Sequence, residues 1–335
     1  MLFVVIFFLA LSLLLYTLLA GADFGAGILE IFSGRKDKTI YEEMVNKALG
    51  PVWEANHIWI IIAVVILFNG FPEAYAKLSV IFHIPLMLML LGIVFRGCAF
   101  SFRHYDRPKD KTHKYYSFIF SASSVLTPAM FGMIIGALLL GRIAETPSSY
   151  YETYVAPWLN PFSFSVGVFV VLLFTFIASV YMIGENQNQN WKKYFIHTAK
   201  IFQILTVVAG GVVFVLSRID GPDVLGHYLS HPPSLACLVL ATVTLPLLWR
   251  AMSRGFIWLA RMCLGAQVTL ILSGWFLYIF PTIIFSEAHP ITFYNAAAPD
   301  ATLEILGWSL IIGSVIFLPV LACLYGVFKY QKSPS

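Results

Sequence analysis

Charged side chains are scarce in this sequence: Asp, Glu, Lys and Arg together account for 11% of its 335 residues. A soluble domain carries about 25% charged residues. Hydrophobic residues make up 59% of the chain. Runs of about 18 or more residues with almost no charge recur along its length, and such runs are typical of transmembrane helices. The composition therefore excludes an ordinary soluble domain and predicts a multi-pass membrane protein.

Other absences narrow the function. The four cysteines are widely spaced with no CxxC pair, which favours apolar packing over metal ligation or disulfides. No Lys or Arg precedes Arg35, so the apolar N-terminus lacks the basic region of a cleavable signal peptide and is expected to remain as the first span. There is no dinucleotide fingerprint, P-loop, HExxH motif or nucleophile triad. The net charge of +4 follows the membrane topology and does not predict nucleic-acid binding.

Nine helical spans are predicted, and residues 1–335 are interpreted as one polytopic membrane domain. The expected bounds are about 2–31, 52–70, 75–101, 114–140, 162–183, 197–216, 234–252, 256–281 and 304–328. Each span is long enough to cross a hydrocarbon core of about 30 Å at about 1.5 Å per residue. The alternating pattern of barrel strands is absent from the sequence, so an all-α fold is predicted.

The Lys and Arg residues predict which side of the membrane each loop occupies. Seventeen of the 21 fall in or beside the loops of one side, and Arg96 lies within a span. The other side has three, which are Lys77, Arg142 and Arg218. Because cytoplasmic loops are enriched in basic residues, the side with seventeen is taken as cytoplasmic. The N-terminus is then outside and the C-terminus inside, which requires an odd number of spans.

The longest loops, about 141–161 and 282–303, are expected to lie outside and are too short to bury a core of their own. The aromatic residues of the first loop fit an interfacial belt better than a ligand groove. They are Tyr150, Tyr151, Tyr154 and Trp158.

Small residues and prolines inside the spans predict packing rather than chemistry. The pairs Gly21/Gly25 and Gly132/Gly136 have the spacing that lets helices approach closely. Prolines within spans are expected to kink them. They are Pro85, Pro128, Pro246 and Pro319.

Three formally charged side chains lie well inside predicted spans: Asp23 in the first, Glu54 in the second and Arg96 in the third. Each costs about 2.5–3.5 kcal/mol at a helix centre and less towards an end. Counting at about 1.5 Å per residue from the span ends places all three in the cytoplasmic half of the membrane. Glu30, nearer the end of the first span, is expected to be a solvated carboxylate at the interface.

Glu54 and His57 are three residues apart and therefore share a helix face, and Trp53 lies one turn before His57. With Asp23 and Arg96 at a similar depth, they predict a polar pocket between the first three helices that opens to the cytoplasm. Two interpretations stay open from the residues alone. In one, Arg96 neutralises a carboxylate and only fixes helix packing. In the other, the carboxylates and His57 relay protons while Arg96 tunes their acidity.

His83 is a candidate haem ligand because it lies in the middle of the third predicted span. No second histidine is found at a matching depth. A hydrogen-bonded imidazole in the core is therefore the favoured interpretation.

Several blocks of the sequence resemble subunit II of the cytochrome bd quinol oxidases. They are GADFGAGILEIF (21–32), GPVWEANHIWIIIAVVILFNGFPEAYA (50–76), FRGCAFSFR (95–103), LTPAMFGMIIGALLLG (126–141) and FPTIIFSEAHPITFYNAAAPDATL (280–303). The blocks follow one another in order through most of the chain, and the second is long and specific.

The resemblance implies a complex in which this chain pairs with a larger subunit I that carries haem b, haem d and the quinol-binding loop. That complex would oxidise quinol and reduce dioxygen to water with protons from the cytoplasm, separating charge without pumping. It further implies a bacterial cytoplasmic membrane, two four-helix bundles plus one peripheral helix, and no haem ligand or metal in this chain. Small accessory subunits and membrane lipids are further candidate partners. The sequence does not distinguish ubiquinol from menaquinol.

Carried over residue by residue, the family's proton route would include Asp23 in the G-x-D-x-G motif, Glu54 after Trp53, and Arg96 of the third span. His57 is added because it shares a helix face with Glu54. Ser101 stands where relatives often have an acidic residue. It would act through its hydroxyl or a bound water, or the route here differs. The resemblance favours proton relay over packing alone.

Two other classes stay open. A secondary transporter or channel would bind its substrate at the intramembrane charges, and it predicts paired broken helices at the bilayer midplane together with internal repeats. Neither is evident in the sequence. A purely structural membrane anchor would use the charges only for packing. As a subunit of the oxidase, this chain alone is not expected to carry catalytic residues.

Overall fold

A computed structural model of the protein describes residues 1–33, 38–49, 53–105, 111–141, 143, 149–185, 188–220, 223–285 and 290–330. Within these ranges the chain forms thirteen α-helices and two short β-strands. In chain order they are α1 (Leu2–Phe32), α2 (Lys38–Leu49), α3 (Trp53–Gly70), α4 (Pro72–Ile81), α5 (His83–Tyr105), α6 (Lys111–Leu140), α7 (Tyr150–Tyr154), α8 (Pro161–Glu185), α9 (Gln189–Asp220), α10 (Val224–Ser230), α11 (Pro232–Ser253), α12 (Ile257–Ile279), β1 (Thr282–Ile284), β2 (Ile291–Thr292) and α13 (Asp300–Tyr330).

Eight of the described helices are long and apolar enough to cross a membrane: α1, α5, α6, α8, α9, α11, α12 and α13. The pair α3 and α4 is a ninth candidate, but the two helices are bent by 119° at the break between them. Pro72 takes the first position of α4, where its missing N–H removes no helical hydrogen bond. The prediction of a multi-pass membrane protein is confirmed, with nine spans only if the bent pair counts as one.

The third predicted span, 75–101, is wrong at its N-terminal end. Residues 75–81 belong to α4, and the spanning helix α5 begins only at His83. The helix breaks there because Pro85 has no N–H to bond the carbonyl of Ile81, and its ring would clash with that carbonyl. Pro85 therefore lies in the first turn of α5 rather than inside a continuous span.

Helix α8 is central to the packing, with α1, α6 and α9 around it. A Cβ on Gly25 of α1 would overlap the backbone oxygen of Phe174 on α8. A Cβ on Gly132 of α6 would lie 2.7 Å from Cα of Gly167 on α8. Both sequence-predicted close approaches therefore exist, and the backbones of α1 and α6 meet α8 directly. Helix α5 packs mainly on α6, and α13 lies against α1 and α3.

The end of the molecule that carries the N-terminus is covered by a small hairpin. Strands β1 and β2 pair antiparallel, and Ile284, Ile291 and Phe293 are buried with Val5 of α1 and with Phe71. The all-α prediction holds for the spanning helices and misses this hairpin. A loop too short for its own core instead buries its apolar residues against the helix ends.

The aromatic residues between positions 150 and 158 divide between surface and core. Tyr150 and Tyr151 of α7 are exposed, but Trp158 is buried with Ile81 and Phe82. The belt interpretation is therefore wrong for Trp158, whose ring packs inside the molecule.

Helix α2 covers the opposite end of the molecule. The hydroxyl of Tyr41 donates to the backbone oxygen of Ala26 at 2.9 Å, and its ring lies near Trp191 and Phe195 of α9. Val45, one turn further along α2, is fully buried. This short helix is therefore fixed by one face onto the ends of α1 and α9.

Replacing Gly25 by alanine is expected to destabilise the protein, because overpacking costs about 1–3 kcal/mol even where side chains can yield, and here the obstacle is backbone. Gly211 of α9 is the matched control, since a Cβ there meets nothing within 4 Å. Alanine at that position should be neutral or stabilising by up to about 1 kcal/mol. Thermal unfolding in detergent compares the two. An unchanged unfolding temperature for G25A would contradict the close approach.

Candidate functional site

A buried ion pair joins α1 to α5. Arg96 donates from Nη1 to Oδ2 of Asp23 at 2.7 Å and from Nη2 to Oδ1 at 2.8 Å. Nη2 also donates to the backbone oxygen of Asp23 at 2.9 Å, and Nε donates to Oγ of Ser124 on α6 at 3.1 Å. The two charged side chains are 2% and 1% exposed. This bidentate geometry compensates both charges, which is the condition for burying such a pair.

Two phenylalanine rings cover the Arg96 guanidinium. Its Cζ lies 4.9 Å from the ring centroid of Phe24 and 4.7 Å from that of Phe120. Such cation–π contacts hold the group more strongly where water is excluded. Both oxygens of Asp23 are occupied by Arg96, so this pair acts as a rigid clamp between helices.

His57 of α3 lies beside the clamp. Its Nε2 is 4.0 Å from Oδ2 of Asp23, and its ring centroid is 5.6 Å from that of Phe24 and 6.4 Å from that of Tyr16. Tyr16 is 1% exposed, and its hydroxyl has no hydrogen-bond partner among the described residues. The structure therefore brings together Asp23, His57 and Arg96 from the predicted site.

A second ion pair repeats the first one seven residues further along both helices. Nη1 of Arg103 donates to Oε2 of Glu30 at 2.7 Å, and Nη2 donates to Oδ1 of Asn46 on α2 at 3.2 Å. The Glu30 and Arg103 side chains are 0% and 1% exposed. The expectation of a solvated Glu30 is wrong. Arg103, counted from the sequence among the basic loop residues, is also buried.

Glu42 of α2 forms a third cluster at the covered end. Its Oε2 is 2.8 Å from Nε2 of His113, and its Oε1 accepts a hydrogen bond from Oγ of Ser117 at 2.8 Å. Burial alone would raise the pKa of the Glu42 carboxyl, but the contacts with His113 and Ser117 and the nearby Arg103 outweigh it, so this pKa lies below its ordinary value of 4.5. Glu42 is therefore a carboxylate at neutral pH, and it fastens α2 to α6.

These groups form a column along one face of α1. Tyr16, Asp23 and Glu30 are spaced by seven residues, as are the two paired arginines of α5. Seven residues make about two helical turns, or about 10 Å. The Phe120 ring contacts both guanidinium groups, at 4.7 Å and 4.3 Å from Cζ. We call the whole set the charge column. Its members, starting from the end covered by α2, are Glu42, His113, Glu30, Arg103, Asp23, Arg96, His57 and Tyr16.

The remaining predicted site residues lie outside the charge column. Glu54 is exposed near the start of α3, and Ser101 is exposed on α5. Trp53 begins α3, but its side chain lies outside the described part of the chain. A polar cluster of Asp23, His57 and Arg96 thus forms without Glu54, which lies on the surface of this chain.

His83 is not the mid-span imidazole that the sequence predicts. It is exposed at the first residue of α5, where Nδ1 lies 2.9 Å from the backbone oxygen of Val80. Its ring packs edge-on to Tyr154 with centroids 5.0 Å apart. This position follows from the helix break before Pro85.

The other half of the molecule holds a cavity of about 350 Å³ between α8, α9, α11 and α12. Its lining is mostly apolar, and its buried polar groups include the carboxamides of Gln203 and Gln267, which hydrogen-bond each other at 3.2 Å. Trp249 donates to Gln203. These groups are neutral and do not titrate, so they differ in kind from the charge column.

Sequence reasoning missed four members of the charge column. Glu30 and Arg103 lie near span ends, where charged residues usually meet water, and Glu42 and His113 lie outside the apolar runs. The repeated spacing of seven between the two acids on α1 and the two arginines on α5 is the signal that could have found the second pair.

Comparison with known proteins gives one consistent result. A family model described as cytochrome bd terminal oxidase subunit II matches residues 1–328. The chain is 26% identical over 327 residues to cytochrome bd ubiquinol oxidase subunit 2 of Bacillus subtilis, covering 95% of this chain and 92% of the relative. It is 26% identical over 350 residues to cytochrome bd-I ubiquinol oxidase subunit 2 of Escherichia coli K12, covering 93% and 88%.

A solved structure supports the fold. The structure of bd oxidase from Geobacillus thermodenitrificans contains a chain that superposes with a TM-score of 0.77 at 18% identity, covering 98% of this chain and 99% of that one. At this identity the likeness concerns the fold alone.

Removing the Arg96 guanidinium while Asp23 remains would leave a buried carboxylate alone. Arg96→Ala is therefore expected to lower the free energy of unfolding by about 3–5 kcal/mol, and adding Asp23→Asn should restore part of the loss. Arg218→Ala is the matched control, since its pair with Asp223 is 3.8 Å long and largely exposed, and such pairs contribute about 0–1 kcal/mol. Thermal unfolding of the single and double variants measures the coupling. Simple additivity of Arg96→Ala and Asp23→Asn would contradict it.

Proposed function

This chain belongs to the cytochrome bd terminal oxidase subunit II family, and we propose that its part in catalysis is to lead protons from the cytoplasm towards a partner subunit. It is subunit II of a bd-type quinol oxidase, an oxidoreductase complex that contains haem and in which it pairs with another subunit. The charge column is the observation that carries the proposal.

The end covered by α2 is proposed to face the cytoplasm of a bacterial membrane, with the N-terminus outside, the C-terminus inside and the whole chain as one membrane domain. The excess of Lys and Arg in the loops of that end supports this orientation. We also infer two four-helix bundles, α1/α3/α5/α6 and α8/α9/α11/α12, with α13 as the peripheral helix. The close pairs α1/α3, α5/α6, α8/α9 and α11/α12 support this division, while α8 also packs on α1 and α6 and so joins the two halves.

Haem b, haem d and the oxidation of quinol are assigned to a larger partner, subunit I. When bound there, the haems supply the electron transfer that reduces dioxygen to water. In this chain, His57 and His113 of the spanning helices lie against the carboxylates of Asp23 and Glu42. Within the described ranges, no group of three His, Cys, Asp or Glu side chains could hold a metal ion. These donor sets fit proton transfer better than haem ligation.

The exposed face of α3 is the proposed path towards the partner. Glu54 shares this face with Ile61, Val65 and Phe68, which are also exposed and follow at intervals of seven, four and three residues. A carboxylate on a spanning helix is costly against lipid. We therefore place subunit I over this face, where Glu54 would receive protons from the charge column.

Protons along the charge column need groups that both accept and donate. The His57 imidazole and the Tyr16 hydroxyl can do so. Buried polar atoms normally have hydrogen-bond partners, yet Tyr16 Oη, Arg103 Nε and Thr127 Oγ1 have none among the described residues. Such sites fit internal water molecules, which commonly complete buried hydrogen bonds. Water and side chains together would link the α2 end to His57.

A purely structural anchor is the second candidate, because the bidentate clamp between Asp23 and Arg96 is also what helix packing alone would need. A purely structural role does not explain why His57 lies beside the ion pair of Asp23 and Arg96. A transporter has less support, because the bent pair α3–α4 breaks at the opposite end of α3 from the charge column.

Replacing His57 by glutamine keeps a polar side chain but removes proton exchange. We expect turnover to fall tenfold or more, since a positioned proton-transfer group contributes about 10²–10⁴ in rate. Glu54→Gln should slow turnover as well. Oxygen consumption with quinol and proton uptake are measured in liposomes that carry the assembled oxidase, after its haem spectrum is shown to be normal.

Glu73→Gln is the matched control, because Glu73 is an exposed carboxylate on α4, away from the charge column. It should behave as the unaltered enzyme does. Unchanged turnover and uptake in both His57→Gln and Glu54→Gln would leave only the structural role.

A further inference from the structure

The charge column approaches the molecular surface at Glu42 and His113. Their side chains are 8% and 10% exposed, whereas those of Glu30 and Arg103 are 0% and 1% exposed. The function proposed above assigns no residue to proton uptake from water. At the end covered by α2, this pair is therefore where water can meet the charge column; His57, whose side chain is 12% exposed, lies further along the column, beside the Asp23–Arg96 pair.

The two ring nitrogens of His113 have different surroundings. Nε2 lies 2.8 Å from Oε2 of Glu42. A carboxylate only accepts hydrogen bonds, so Nε2 carries the hydrogen of the neutral ring and Nδ1 has the lone pair. Nδ1 is buried and has no hydrogen-bond partner in the described part of the chain. A ring held in this way has the groups needed to take a proton at Nδ1 and to release one from Nε2.

Glu42 also faces the next ion pair of the charge column, that of Glu30 and Arg103. We call this pair the Glu30 layer. Arg103 is near enough to help lower the pKa of the Glu42 carboxyl, and the same guanidinium donates to Glu30 and to Asn46. Because Glu42 and Asn46 are one turn apart on α2, this helix contacts both His113 and the Glu30 layer. A proton on Glu42 therefore stands next to the Glu30 layer.

The groups that face Glu42 come from three neighbouring elements. Helix α6 provides His113 and Ser117, α5 provides Arg103, and α1 provides Glu30 behind that arginine. Two charged neighbours in sequence, Glu43 on α2 and Lys114 on α6, are exposed instead.

We propose that Glu42 and His113 form the proton-collecting site of the oxidase in this chain, with Arg103 and Glu30 as the next layer inward. The inference rests on the proposed proton route. An internal water that reaches the buried Nδ1 of His113 from the α2 side gives it a proton, and Nε2 gives its proton to Oε2 of Glu42. The carboxyl then passes that proton to water in the Glu30 layer. The ring is left neutral with its hydrogen on Nδ1, and exchange of protons with water returns the hydrogen to Nε2.

The test uses Glu42→Gln and His113→Gln in the assembled oxidase, with Glu43→Gln as the matched exposed control. Turnover is measured between about pH 6 and about pH 9, from the near-neutral to the alkaline range. Without the collecting site, proton capture limits the rate as free protons become scarce. Both variants should approach the unaltered rate at the acid end and fall severalfold below it at the alkaline end. Glu42→Asp, which keeps a carboxylate, should recover most of that loss.

A purely structural role would lower turnover by one factor at every pH, together with haem content, and that result would overturn the inference. If His57→Gln slows turnover but neither Glu42→Gln nor His113→Gln changes the pH profile, the route stands and its collecting site is elsewhere. If His57→Gln also has no effect, the proposed route itself fails. If the oxidase with Glu42→Gln does not assemble, the His113→Gln variant tests the inference by itself. The glutamine amide can still donate a hydrogen bond to Glu42, so this variant is expected to assemble.

Discussion

The high cost of placing charge in an apolar medium governs the first half of this molecule. Helix α5 carries two buried arginines, and each is paired with a carboxylate of α1. Since the acids and the arginines are both seven residues apart, the two pairs form together in one register of α1 against α5. A slip of one turn would leave all four charges unpaired, at several kcal/mol for each. The ion pairs therefore fix the depth and rotation of α5, although its main packing partner is α6.

The glycines around Asp23 make this pairing possible. Gly25 brings the backbone of α1 against α8, and a Cβ on Gly27 would overlap Oγ of Ser124 on α6. That same hydroxyl accepts the hydrogen bond from Nε of Arg96. Close helix approach thus excludes water from the clamp and brings a third helix to the arginine. The G-A-D-F-G-A-G segment is explained by packing and electrostatics together, because neither the clamp nor its burial forms without the small residues.

The sequence was sufficient where a single physical effect dominates. Hydropathy gave the multi-pass architecture, and the cost of isolated charge singled out Asp23 and Arg96, which the structure pairs. Sequence reasoning failed where contacts with neighbouring helices determine whether a side chain is buried or exposed. The surface position of Glu54 depends on the rotation of α3, which is apolar on nearly all sides and so carries no signal of its own. The buried state of Glu30 depends on α2 covering the end of α1, and no property of Glu30 itself reveals that cover.

Packing and the proposed proton transfer, which the sequence alone left as alternatives, are compatible because different groups would serve them. Asp23 and Arg96 use their oxygens and nitrogens on each other, so they are rigid and add no net charge to their layer. Glu30 and Arg103 neutralise the next layer in the same way. A proton moving past these layers thus introduces one charge into surroundings that are neutral but strongly polar, which lowers its cost relative to bare hydrocarbon. In the proposed route, the rigid pairs would make the passage of a proton less unfavourable, while the imidazoles, the Tyr16 hydroxyl and water would carry it.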